Sequence, residues 1–147
     1  MTDLPADPTE RARIIARNLI DMLPHATALG LHLEEVDEGA ASISMPWRAD
    51  LVGDPQTGVI HGGAVSALMD TCCGAAVLGH PQVPGPVATI DLRIDYMRAA
   101  KPGQRIIARA ECYHLTRSVA FVRAHAYDED GTRPVATATG TFTTGAA

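Results

Sequence analysis

The segment Gly58-Val59-Ile60-His61-Gly62-Gly63-Ala64, with Asp70 further along, carries residue types that can do chemistry at a carbonyl. Two adjacent glycines are poor helix formers, each costing about 1 kcal/mol relative to Ala in a helix interior. They are useful where a ligand must approach the backbone closely. At a helix entrance the first-turn amides of Gly62 and Gly63 lack intrahelical acceptors and lie at the positive end of the dipole. Such amides can hold a carbonyl or an oxyanion. The plainer alternative is a tight turn before a helix.

Asp70 is the second signal. It is the sole ionisable residue in an otherwise apolar stretch, and a carboxylate buried there without partners would be expensive. On a helical wheel its neighbours are Gly63, Ala67, Gly74 and Val77, so the carboxylate faces a trough of small residues. The trough could admit a substrate or a second copy of the helix, and a structural Asp satisfied by backbone donors is the alternative. Asp70 follows Gly62 by eight residues, about 12 Å along one helix axis. The two cannot touch one carbonyl from within one chain. If they act together, Asp70 of one subunit meets the glycine amides of another.

The elements that must position these groups follow from periodicity. Residues 62–79 show no strand alternation and are apolar on almost every face, which predicts a long buried helix. An earlier amphipathic helix starts at Pro8, after Asp7, and is closed by Pro24. Strands are predicted over 29–36 and 40–45, joined by the turn Asp37-Glu38-Gly39, and over 87–96, 104–115, 118–127 and 134–143. Residues 48–58 read as a loop. Strands before and after a hydrophobic helix suggest one antiparallel sheet wrapped around it, an α+β arrangement. Open edges favour pairing with a second copy.

Composition narrows the function. The 147 residues suit one compact domain, with residues 1–24 as a helical extension and 25–147 as the main body. With 12 basic against 17 acidic side chains and 4% aromatics, the chain has neither the charge nor the stacking surface of a nucleic-acid binder. No apolar run approaches the roughly 20 residues of a membrane span. The first 20 residues lack the pattern of a signal peptide, and three cysteines build no disulfide framework, so a cytoplasmic protein is expected. Cys72 and Cys73 read as small core residues, and no metal-ligand spacing stands out.

The run GVIHGGAVSALMDTCCGAA, followed by VATIDLRIDYMRAAKPGQRIIARAE, resembles the hotdog-fold acyl-CoA thioesterases, in particular the phenylacetate-pathway (PaaI-type) branch. The resemblance runs from about residue 30 to residue 143. It implies a six-stranded antiparallel sheet around a long central helix, and an acyl-CoA substrate with no cofactor beyond the coenzyme A it carries. Asp70 would be general base or nucleophile, and Gly62 the oxyanion donor. His61 would hold the turn, and Thr89 would position water. The site would lie between subunits of a homo-oligomer, a dimer of dimers. Such enzymes often carry Asn or Gln before the His-Gly-Gly. Here Asp54 or Gln56 would take that part, with Gly63 also facing substrate. Arg98 and Arg117 are candidates for the phosphates of the CoA arm. The alternative on the same fold is a non-catalytic acyl-CoA-binding or sensing module.

Overall fold

In a computed structural model, residues 4–146 are described. Helix α1 (Pro8–Met22) is capped by Asp7, whose side chain accepts from the Thr9 amide at 3.1 Å. Its buried face, Ala12, Ala16 and Ile20, packs on the body. A short helix α2 (Pro24–Leu29) follows and ends at Gly30 with φ +69°. Strand β1 (His32–Asp37) therefore starts three residues later than the alternation predicts, because Pro24 at a first-turn position starts a new helical turn rather than only ending the old one.

Strand β2 (Ala40–Met45) leads to a 3-10 turn (Ala49–Leu51) and a small hairpin, β3 (Val52–Asp54) with β4 (Val59–Ile60). This stretch reads as plain loop in the sequence, since strands of three and two residues have no period to detect. Helix α3 (Gly62–Leu78) comes next, then β5 (Thr89–Tyr96), β6 (Ile106–Leu115), β7 (Val119–Tyr127) and β8 (Ala136–Thr143).

The main sheet is antiparallel throughout, in the order β1-β2-β6-β7-β8-β5. Helix α3 thus carries the chain from near one edge to the other, where β5 pairs with β8 alone. The sheet's inner face is lined by small residues, among them Ala108, Ala110, Ala124, Ala126, Ala136 and Ala138, all buried. Small side chains let the helix sit close, and α3 answers with Cys72, Cys73, Ala75 and Ala76, also fully covered. Larger groups such as Leu68, Met69, Ile43 and Phe142 fill the remaining space.

One irregularity matters for the site. The register of β5 against β8 shifts between Thr89 and Asp91. Gly140 pairs with Leu92 just past this shift, and a Cβ there would collide with the Asp91 carbonyl. Bulges re-aim side chains, and here the residue at the bulge is Thr89.

Candidate active site

Helix α3 is buried by its own composition, and its first turn is shaped by His61. That imidazole is the N-cap, and its Nδ1 accepts the Gly63 amide at 2.8 Å. Nδ1 must therefore be unprotonated, with the ring proton on Nε2. The ring is held from behind, because the His61 amide donates to the Leu51 carbonyl at 2.9 Å and Gly53 passes too close for any side chain. The β3–β4 hairpin is thus a clamp on the His61 turn.

The two glycine amides end up with different duties. The Gly63 N–H is taken by His61, whereas the Gly62 N–H has no acceptor among the described residues. The Gly62 carbonyl is fixed from the side by two hydroxyls, Tyr96 donating at 2.8 Å and Ser66 at 3.1 Å, with the two hydroxyls also in contact. Neither Tyr96 nor Ser66 stands out in the sequence. A signal was available, since Tyr96 ends a strand whose alternation puts it on the helix side of the sheet. A cavity of about 310 Å³ opens beside this point, walled by Val59, Ile60, Val65, Tyr96 and Ala99.

Two turns further along α3, Asp70 is half-buried and accepts the Thr89 hydroxyl through Oδ1 at 2.7 Å. Its Oδ2 has no hydrogen-bond partner among the described residues. Strand β5 is thus fastened to α3 at both ends, by Thr89 on Asp70 and by Tyr96 on Gly62. The straight helix between keeps the Gly62 amide and Asp70 about 12 Å apart. One chain holds both groups without bringing them to the same atom.

The remaining candidates lie on other elements, Arg98 among them in the wall of the cavity beside Gly62. Asp54 builds its own turn, accepting the Gln56 amide at 3.0 Å and the Thr57 hydroxyl at 2.7 Å, and these bonds draw its carboxyl below the usual range. Gln56 is exposed on that turn. Arg98 is committed to structure: it grips Asp128 through two bonds of 2.6 and 2.9 Å and donates to the Arg133 carbonyl at 2.7 Å. The fork holds the buried Asp128 carboxyl down at about 2. The Nε of Arg98 is buried without a partner. Arg117 lies between β6 and β7, its backbone carbonyl accepting from Thr144 at 2.7 Å. Cys72 and Cys73 are packed in the core, and burial pushes the Cys72 thiol up to about 12. A thiol so protonated is no nucleophile.

A six-stranded antiparallel sheet wrapped around one long, buried central helix is the hotdog fold. The chain belongs to the thioesterase superfamily, whose family profile matches residues 57–135, and is a thioester hydrolase. It is 26% identical to the medium/long-chain acyl-CoA thioesterase YigI of Salmonella typhimurium, over 90% of this chain and 93% of that protein. A crystal structure of a Pseudomonas aeruginosa protein matches at 38% identity and TM-score 0.80, covering 90% of this chain and 98% of that one. The phenylacetic acid degradation protein PaaI of Thermus thermophilus matches at 33% identity and TM-score 0.72, covering 82% and 98%.

Proposed function

We propose that the protein hydrolyses acyl-CoA thioesters to the free acid and coenzyme A. The observation that carries this reading is the Asp70–Thr89 pair on a half-buried trough, matched by a helix-entrance amide with no internal acceptor. In the reaction the thioester carbonyl oxygen accepts the Gly62 N–H. Asp70 takes a proton from a water held beside the Thr89 hydroxyl, and that water forms the new C–O bond. The tetrahedral oxyanion collapses, the C–S bond breaks, and the coenzyme A thiolate is protonated as it leaves. His61 acts by holding the turn, and Gly63, Asp54 and Gln56 border the entering ester.

The site is assembled from two copies of the chain. Among the described residues the outer edge of β5 is unpaired, and Ile90 and Tyr96 on this strand stay 56% and 51% exposed in a single chain. A second copy placed on that edge covers them and brings its own Gly62 to the first copy's Asp70. Two such pairs stacked as a tetramer would complete the assembly. The named relative YigI points to medium or long acyl chains as substrates. All three cysteines are unpaired, in keeping with a reducing cytoplasm. Among the described residues no helix is long and apolar enough to cross a membrane.

The test is thiol release from acetyl-, butyryl-, decanoyl-, palmitoyl- and phenylacetyl-CoA by wild type and Asp70→Asn. Loss of the base should lower kcat by on the order of a thousandfold or more, since general-base and electrostatic effects at one group reach that size. Binding of these esters without thiol release in wild type would replace the enzyme by a binding module.

A further inference from the structure

A second cavity, larger than the one beside Gly62, plays no part in the chemistry described so far. It measures about 560 Å³, within the range of small-molecule sites, and lies between α1 and the link from α3 to β5. Ala12, Ile15 and Leu19 of α1 form one wall, and Leu78, Val83 and Val87 the other. Building on the thioesterase reading, we propose that this cavity receives the alkyl chain of the acyl group, entered from the Asp70–Thr89 pair.

Three observations support the occupant. First, the lining is apolar and poor in donors: Pro81, Pro84 and Pro86 face the cavity, and prolines have no N–H to offer. Their fixed φ also stiffens the link, so it does not collapse onto α1. The charged side chain at the rim, Arg11, turns its Nε and Nη2 to the Pro5 carbonyl at 3.2 and 3.1 Å. The wall beyond it is apolar, which suits an alkyl chain.

Second, α1 holds its apolar face partly open. Ile15 shares that face with Ala12 and Leu19, yet is 40% exposed. Third, two routes of covalent structure lead from the carboxylate to the cavity. Leu78 follows Asp70 by eight helical residues, about 12 Å. Val87 precedes Thr89 by two residues, at most about 7 Å. On the helix route the intervening position is Gly74, which presents no side chain, with Phe142 Cε1 3.5 Å from where a Cβ would stand. A long alkyl chain spans that distance, and an acetyl group does not.

The experiment titrates decyl-CoA and ethyl-CoA thioethers, which cannot be hydrolysed, against wild type, Ile15→Trp and Val87→Trp by calorimetry. Thiol release from decanoyl- and butyryl-CoA is measured alongside. Each methylene buried should tighten binding by about fourfold, so wild type should prefer decyl- over ethyl-CoA by at least a hundredfold. Either tryptophan, filling the cavity from opposite walls, should cut that preference tenfold or more and lower the decanoyl/butyryl ratio of kcat/KM in step. Circular dichroism identifies a variant that fails to fold, in which case the other wall answers.

A wild-type preference near unity, or one that persists in folded tryptophan variants, overturns the cavity assignment. If both esters are hydrolysed and the preference ignores the tryptophans, the assignment alone fails. If no thiol is released while the preference follows the tryptophans, the thioesterase reading fails and the alkyl site stands.

Discussion

Strands β7 and β5 both pair with β8, and at nine and eight residues they are nearly the same length. They are otherwise opposites. Strand β7 alternates cleanly, with Ala120, Val122, Ala124 and Ala126 fully covered by α3, and its register to β6 and β8 holds it on both sides. Strand β5 has no fully buried residue, carries a bulge and leaves one edge free. A single chain completes β7 and leaves β5 unfinished. The unfinished strand is the one that touches Asp70 and Gly62. Stability is concentrated where this chain supplies every partner, and the candidate chemistry lies where it does not.

The strongest way to break that contrast uses Gly62→Pro. Proline at the first helical position is well tolerated and removes only the N–H. An added Cβ at Gly62 meets Tyr96 at an ordinary 3.5 Å. Turnover should fall by about a hundredfold to a thousandfold, the usual size for one oxyanion donor. Asp70→Asn is similarly inactive alone. Unfolding and refolding the two variants together should restore about a quarter of wild-type activity, because half the pairs are mixed and each mixed pair keeps one intact site. No recovery would mean that one chain supplies both groups.

A second pair of substitutions compares the strands directly. Val122→Ala on β7 should cost about 2 kcal/mol in denaturant melts at every protein concentration, as a cavity within one chain. Ile90→Lys on β5 changes a side chain that is 56% exposed in the single chain, so the monomer should lose no more than about 0.5 kcal/mol. Its effect should appear as loss of the concentration dependence of Tm and loss of the dimer in sedimentation. A monomeric wild type would remove the basis for the distinction.

Acid should find a third difference, at the loop after β7. The Arg98 fork holds the buried Asp128 at about 2, below its ordinary 3.8. A depressed carboxyl stabilises the fold fully above its ordinary value and loses that contribution as pH falls through the folded one. Stability should therefore drop by on the order of 2 kcal/mol between about pH 4 and pH 2. Asp128→Asn should flatten this part of the profile while being less stable at neutral pH.

The same contrast explains what was legible in the sequence. Strands β6, β7 and β8 alternate because each face has one fixed environment, and α3 is apolar all round because the sheet wraps it. Asp70 and the glycines stood out because they break those patterns. The β3–β4 hairpin is too short to have a period, although it clamps His61. The Thr89–Asp70 bond lies at a register shift of β5 against β8, a strand some fifty residues away, which no local pattern announces. Arg98 reads as a free cation until Asp128, thirty residues on, folds beneath it.

Tyr96 offers the smallest and most pointed effect. Its hydroxyl holds the carbonyl of Gly62, whose amide has no acceptor among the described residues, and so acts on the entrance to α3. In Tyr96→Phe the ring and its packing remain, and Ser66 still donates to the same carbonyl at 3.1 Å. One hydrogen bond to backbone carries about 0.5–1.5 kcal/mol, so a decline of roughly threefold to tenfold is expected. A positioning role places that decline in kcat, because a misaimed amide weakens the oxyanion contact more than the ground-state one. A purely structural role would instead lower Tm and leave kcat per folded site alone. Paired kcat, KM and Tm measurements on Tyr96→Phe and Ser66→Ala separate the two, and the double variant should lose more kcat than either alone if both hydroxyls hold the same carbonyl.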